Sequence, residues 1–443
     1  MDGSGVPVRV GVLGCGTVGA ALVRLLAERA GAVEARTGLR LEVTRVAVRN
    51  LSKERFVQLP PGCLTHDAGD VVADADIDVV VEVIGGIEPA RGLVLDALKA
   101  GKPVVTANKE LLANVGAELF AAADAAGVDL LFEAAVAGGI PLIRVLRESL
   151  AGERIRRVMG IVNGTTNYVL TRMSEDGADY HHALAEAQRL GYAERDPTAD
   201  VEGFDAGAKA AIIATIAFGA SVVAGDVYHE GIANLTPADI AFARRLGYEV
   251  KLLAVAEQFD GDGREGAPAP EVALRVHPAM VPAGHPLASV RDSFNAVFVE
   301  GDAVGEVMLY GRGAGGMPTA AAVLGDLIDA AADLKAGSHA PLGVLPRAVI
   351  RPIDEVRSEY CLHIEVADRP GVLHAVSGVF AAHGVSIRSM EQEGLGEEAR
   401  LIFITHEAVE SAVQATLSDL RELDVVDRVT SLLRVVGPSP APG

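Results

Sequence analysis

Residues 202–223 read EGFDAGAKAAIIATIAFGASVV, and in them Asp205 and Lys209 stand four apart where an almost wholly apolar run begins. On a helix that spacing sets a carboxylate beside an ammonium. Glu202, Asp205 and Lys209 fall at i, i+3 and i+7, and the same face continues through Ile212, Ile213 and Ile216. A solvated pair of this kind contributes about 0.2–0.5 kcal/mol and belongs on a face that stays polar. This face turns apolar, so the pair is expected to border a desolvated pocket. There burial lowers the pKa of an ammonium while the carboxylate holds it up, the tuning a general acid requires. Lysine is also used sparingly, seven residues among 39 basic ones, and lysine can release a proton where arginine cannot. The competing reading is a structural ion pair.

Just upstream, GYAERDPTADVEG places Gly191, Glu194, Asp196 and Asp200 in a proline-containing loop. Carboxylates so grouped suit a substrate ammonium group, and suit capping and turn roles equally well. Near the N-terminus, GVLGCGTVG spaces Gly14, Gly16 and Gly19 as G-x-G-x-x-G, with Thr17 and Val18 opening the helix that follows. The motif follows a strand, so its backbone can approach a pyrophosphate at a helix N-terminus. The second strand ends VAVRNLSKER, with Arg49 where an NAD-binding fold usually carries an acid, and Lys53 and Arg55 close behind. A cation there suits the 2′-phosphate of NADP, with NAD as the weaker ligand. TANKE sets Thr106 and Lys109 at the carboxyl end of another strand, where open parallel sheets bind ligands. Lys109 is expected to reach that crevice, the alternative being a solvated lysine at a helix start.

These side chains need positioning elements, and the pattern supplies them. Over residues 1–150 buried apolar runs alternate with helical ones, which predicts an α/β, Rossmann-type doubly wound parallel sheet. Residues 151–335 mix strands RRVMGIV, VALRVHP, NAVFVEG and EVMLYG with helices near 166–174, 180–190, 203–223, 236–247 and 316–335. This is an α+β catalytic domain with a sheet open to dimerisation. The tract 259–271 reads as a polar loop and 336–358 as a connector. Residues 359–437 run β-α-β-β-α-β, the ferredoxin-like order.

Composition bounds the function. A chain of 443 residues is too long for one core, and a formal net charge of −21 disfavours nucleic acid or an anionic membrane as main partner. Cys15, Cys63 and Cys361 have neither disulfide nor metal spacing. The apolar segment 210–225 is short of the ~20 residues a membrane span needs, and it reads as a core helix of a cytoplasmic protein.

Taken together, GVLGCGTVG, TANKE, EAAVAGGIPLI, GIVNGTTNY, AERDPTADVEGFDAGAKAAI and GRGAGGMPTAAAVLGD resemble the homoserine dehydrogenase family, in its motif order and over almost the whole chain. The tail resembles an ACT domain. The resemblance implies that NADPH reduces L-aspartate 4-semialdehyde to L-homoserine, a step of threonine and methionine biosynthesis. Lys209 would be the proton donor, Glu194 and Asp205 would hold substrate, and Asp200 would shape the site. Lys109 and Gly191 would contact cofactor or substrate. The run 313–316, including Gly315, would close on the nicotinamide. EAAVAGGI resembles a sodium site built from main-chain oxygens of Glu133, Val136, Gly138 and Ile140. ADRPGVLHAV resembles an effector loop in which Asp368, Pro370, Gly371 and Val372 contact a small amino acid, L-threonine by expectation. A homodimer or homotetramer is expected.

Other chemistries fit less well. A thioester mechanism needs a cysteine nucleophile, and none of the three cysteines is placed for it. A 2-hydroxyacid dehydrogenase needs a histidine with a carboxylate and an arginine, and His181, His182, His277 and His285 form no such set. A catalytically dead amino-acid sensor would have lost Asp205 or Lys209, and both are present.

Overall fold

The computed structural model describes residues 7–55, 57–259, 269–394 and 398–437. Its first unit is a six-stranded parallel sheet of β1 (Val8–Leu13), β2 (Leu41–Ala47), β3 (Leu64–Thr65), β4 (Val79–Glu82), β5 (Val104–Thr106) and β6 (Leu130–Leu131), ordered β3-β2-β1-β4-β5-β6. The helices Thr17–Thr37, Ala90–Lys99 and Lys109–Ala126 cross between strands, so the central strands β1, β4 and β5 are buried on both faces and their sequences show no alternation, while β2 is only partly covered. Two details depart from expectation. The short β3 had no apolar run long enough to announce it. DLLFEAAV forms only the two residues of β6 before turning at Glu133, whose carboxylate accepts hydrogen bonds from the Ile143 and Arg144 backbone amides, both at 2.8 Å.

The helix Gly316–Ala336 returns to this unit from far along the chain. Its Ala320, Val323, Leu327 and Ala331 pack in one core with Val10, Val12, Leu22 and Val81. It therefore covers one face of the first sheet.

The second sheet holds β7 (Ile155–Ile161), β8 (Tyr228–His229), β9 (Tyr248–Phe259), β10 (Glu271–Pro282), β11 (Phe294–Gly301) and β12 (Gly305–Arg312). Its order is β12-β11-β7-β9-β10, with β8 pairing β10 in parallel. The pattern missed β9. Its YEVKLLAVAEQF follows a helix directly, and its apolar run lacks the alternation that marks a strand. It pairs with β10 from Tyr248↔Pro282 to Phe259↔Glu271. Residues 260–268 of the loop tract lie outside the described residues.

The apolar helix runs Phe204–Phe218, shorter than 203–223, between left-handed glycines Gly203 (φ 85°) and Gly219 (φ 62°). Ala206, Ala210, Ala211, Ile212, Ile213, Ala214 and Phe218 are buried on all sides within the protomer. Gly203 also corrects the expected face: Glu202 ends the preceding short helix Thr198–Val201 and does not continue the row of Asp205 and Lys209.

The tail holds β13 (Val349–Ile350), β14 (Arg357–Ala367), β15 (Ile387–Gly394), β16 (Glu398–Thr405), β17 (Ala408–Val409) and β18 (Val426–Val435), with helices Val372–Ala382 and Glu410–Arg421. Its main strands follow the order β18-β14-β16-β15. This unit is not separate. β18 pairs in parallel with β10 through Ala279↔Arg434 and Met280↔Val435, which makes one continuous sheet. Nor is 336–358 a slack connector, since β13 pairs with β10 and Arg347 bonds Asp226 and the Ser221 carbonyl. Among the described residues no helix is long and apolar enough to cross a membrane.

Candidate active site

β7 ends at Ile161, and the next two residues organise the centre. The Val162 carbonyl accepts a hydrogen bond from Lys209 Nζ at 2.7 Å. Asn163 caps the helix Gly164–Asp176, its Oδ1 accepting from Thr166 N at 2.8 Å. The first turn of the buried helix then delivers Asp205, and the second delivers Lys209. Asp205 Oδ2 lies 2.6 Å from Lys209 Nζ, and Asp205 Oδ1 lies 2.7 Å from Lys109 Nζ. Asn108 caps the helix that carries Lys109 and ties it to the Gly86 carbonyl.

One carboxylate thus separates two ammonium groups. Burial opposes charge on Asp205, but Lys209 and Lys109 outweigh it and hold its carboxyl well below the usual carboxylate range. Burial likewise opposes charge on Lys109, and Asp205 more than compensates, raising the ammonium. Lys209 is nearly enclosed at 12 % exposure of its side chain, while Lys109 is 43 % exposed. Two of Lys209's three N–H groups are committed, to Val162 and Asp205. The third remains to meet a ligand. Two cations gathered on one carboxylate can stabilise an oxyanion, and one of them can pass a proton to it.

The loop carboxylates divide. Asp200 joins the cluster by accepting from Asn163 Nδ2 at 2.7 Å. Glu194 stands exposed, its carbonyl accepting from Gln188, and Asp196 turns back to Thr198. Gly191 is exposed, with φ 79°.

The glycine loop lies at the carboxyl end of β1. Gly14 has φ 104°, and a Cβ there would stand 2.8 Å from the Val83 carbonyl. A Cβ on Gly19 would stand 2.2 Å from the Gly14 carbonyl, so these two glycines let the loop close on itself. A Cβ on Gly16 would meet nothing within 4 Å, which leaves backbone open to a phosphate beside Thr17 and Val18. Gly315 (φ 119°) starts the helix Gly316–Ala336, and a Cβ on Gly316 would stand 3.2 Å from Thr17 Cγ2. Two helix N-termini therefore converge, both favourable to an anion. Arg49 is exposed past the end of β2. The Thr106 hydroxyl is used internally, donating to Glu82 Oε2 at 2.5 Å and accepting from Asn108 N. Glu82, fully buried at the end of β4, was not anticipated; a lone acid in DVVVEVIGG was its signal. Asn163 was missed too, although asparagine just before a helical run is a favoured N-cap.

The 136–140 loop packs against the run 313–316, and a Cβ on Gly138 would stand 2.4 Å from the Gly313 carbonyl. Ala137 (φ 54°) and Gly138 (φ 46°) are both left-handed, which bends the backbone sharply. Each carboxylate oxygen of Glu133 accepts one backbone amide. In the tail, Asp368, Pro370, Gly371 (φ 94°) and Val372 line a cleft of about 450 Å³ with Gln392 and Leu401.

Three family models match the chain: "Homoserine dehydrogenase, NAD binding domain" over residues 14–133, "Homoserine dehydrogenase" over 141–328 and "ACT domain" over 362–425. A homoserine dehydrogenase of Corynebacterium glutamicum is 50 % identical over 434 residues, covering 98 % of this chain and 96 % of that one. One of Mycobacterium tuberculosis is 49 % identical, covering 99 % of each. The crystal structure of a homoserine dehydrogenase from Thiobacillus denitrificans superposes with a TM-score of 0.90 at 43 % identity, over 97 % of this chain and 98 % of that one. A hyperthermophilic archaeal homoserine dehydrogenase in complex with NADPH gives 0.59 at 28 % identity, over 73 % of this chain and 98 % of that one.

Proposed function

This chain belongs to the homoserine dehydrogenase family and is an NAD(P)-dependent oxidoreductase, and from that premise we propose that it reduces L-aspartate 4-semialdehyde to L-homoserine with NADPH, reversibly. The carrying observation is Asp205 held between Lys109 and Lys209. The cofactor, when bound, supplies a hydride to the carbonyl carbon. Lys209 directs its uncommitted N–H at the carbonyl oxygen and gives up that proton as the alkoxide forms. In the reverse direction it takes the proton back. Asp205 pairs with both ammonium groups, and Lys109 adds positive charge beside the oxygen. Asp200, Asp205 and Glu194 face the substrate ammonium group; of these Asp200 and Asp205 are joined in the cluster.

NADP is read as the preferred nucleotide. Arg49 supports this, and Gly14, Gly16, Thr17, Val18, Gly19, Thr106, Gly191 and Gly315 are read as its surroundings. The left-handed turn at Ala137 and Gly138 supports a sodium ion held by carbonyls of Glu133, Val136, Gly138 and Ile140. The cleft at Asp368, Pro370, Gly371 and Val372 supports L-threonine as feedback inhibitor. A homodimer or homotetramer is proposed. The buried helix gives no argument for it, being covered within the protomer, whereas the exposed edge strand β12 with Tyr310 does.

Following absorbance at 340 nm with homoserine and NADP, with and without threonine and sodium, tests the whole reading. Nicotinamide reduction that depends on homoserine is expected. Its absence would overturn the assignment.

A further inference from the structure

Asn163 is 5 % exposed and every polar atom of its side chain is engaged. Oδ1 accepts from Thr166 N at 2.8 Å and from Thr166 Oγ1 at 3.0 Å. That fixes the amide's orientation, because the reverse would aim its oxygen at two carboxylates and its NH₂ at the Thr166 N–H. Nδ2 then spends one hydrogen on Asp200 Oδ1 at 2.7 Å and the other on Asp205 Oδ2 at 2.9 Å. Asp205 Oδ2 is also the oxygen that Lys209 contacts, and Lys209 bonds the carbonyl of Val162, the residue before Asn163.

Two consecutive residues thus set three positions. Val162 fixes the lysine, and Asn163 fixes the carboxylate beside it and the carboxylate on the preceding short helix. Left alone, Asp200 and Asp205 would repel. A neutral amide with both hydrogens shared between them holds them at one separation and adds no charge that would compete with the lysines.

We propose that Asn163 is a positioning residue for the reaction: its amide, anchored by Thr166, clamps Asp200 and Asp205 in register and thereby aims Lys209 at the substrate. The inference rests on the proposed reaction at this site. Its role is separable from helix capping, since serine and aspartate are good caps in their own right. Serine is too short to reach either carboxylate. Aspartate reaches them with a charge of the wrong sign, facing Asp200 on one helix and Asp205 and Lys209 on the next, with Lys109 beyond.

The experiment compares homoserine oxidation by the full-length wild type, Asn163→Ser and Asn163→Asp across pH 6 to 10, with NADPH binding and thermal midpoints measured alongside. Asn163→Ser is expected to fold with a near-normal midpoint, bind NADPH within about twofold, and lose about 10²-fold in turnover, the scale set by a displaced catalytic group. Asn163→Asp is expected to be weakest at high pH and to regain activity as pH falls, because a protonated carboxyl can again donate to one neighbour. Wild-type turnover retained in Asn163→Ser, or an Asn163→Asp profile parallel to the wild type, overturns the clamp. An inactive wild type would instead overturn the assigned reaction, so the two failures are distinct. If Asn163→Ser does not fold, the pH profile of Asn163→Asp decides alone.

Discussion

Lys109 and Lys209 come from different units of the fold and meet across the two oxygens of one carboxylate, at 2.7 and 2.6 Å from Asp205. The cofactor sheet contributes the first lysine and the buried helix of the second unit the other. Assembly of the two units is therefore what makes the centre.

The lysines are expected to separate by mutation. Lys209→Ala should lower turnover by about 10²–10⁴-fold, the range of general acid–base catalysis, while NADPH binding stays nearly intact. Lys209→Arg should not rescue it, since arginine keeps the charge and cannot pass the proton. Stopped-flow turnover with cofactor titration checks both. If Lys109→Ala is the more damaging change, the proton donor is Lys109.

Arg49 governs nucleotide choice in this reading. Arg49→Ala should weaken NADPH binding by about tenfold, the loss of roughly one charge-assisted hydrogen bond, and leave NADH unchanged. Equal effects on both nucleotides would remove the 2′-phosphate from the explanation.

Gly207 lies between Asp205 and Lys209 on the buried helix. A Cβ there would stand 2.0 Å from His229 Nε2, and the His229 ring packs on Phe204 at 5.0 Å. Gly207→Ala must push that ring away, at a cost of about 1–3 kcal/mol as an overpacking change. A lowered urea midpoint together with lowered turnover is expected. An unchanged midpoint would show that the ring moves freely.

Lys251 is buried on β9 with its ammonium on the Val290 carbonyl at 2.6 Å. Burial brings its pKa down to about 8, against opposing pulls from Glu249 and Glu175. Between that value and the usual lysine range the unfolded chain holds a proton that the folded chain has released. Stability from this site therefore rises with pH across that window, by up to about 3 kcal/mol. Lys251→Met removes the dependence. Its advantage over the wild type in urea unfolding should shrink from pH 7.5 to pH 10, and a constant difference would count against the burial effect.

Local signals marked most of what could be read in the chain. Gly14, Gly16 and Gly19 sit in a strand–turn–helix context that only a few folds supply. The four-residue step from Asp205 to Lys209 is likewise a property of one helix. What escaped depended on neighbours distant in sequence. β9 is a strand because β7 and β10 flank it, and its apolar run alone does not distinguish strand from helix. Asn163 announces a cap, but its two carboxylate partners lie 37 and 42 residues away. A count of helical steps sets Glu202 in the row of Asp205 and Lys209, because the left-handed Gly203 that breaks the row is invisible to such a count. The return of the helix Gly316–Ala336 to the first sheet follows from packing that no local pattern encodes.

The junction of β10 and β18 bears on how detachable the tail is. Arg434 Nη1 reaches Glu230 Oε1 at 2.7 Å, and Tyr228 donates to the same oxygen. Two residues beyond Glu230, the Ile232 amide donates to the Val201 carbonyl, just before the buried helix Phe204–Phe218. A cut before residue 359 would strip an arginine from a half-buried acid and bare the Ala279 and Met280 edge of a central strand, an invitation to intermolecular pairing. The regulatory unit is thus grafted into the enzyme's framework rather than strung behind it. If the 368–372 cleft holds the proposed effector, engineering that seeks an unregulated catalyst is better aimed at its single side chains than at excision of the tail.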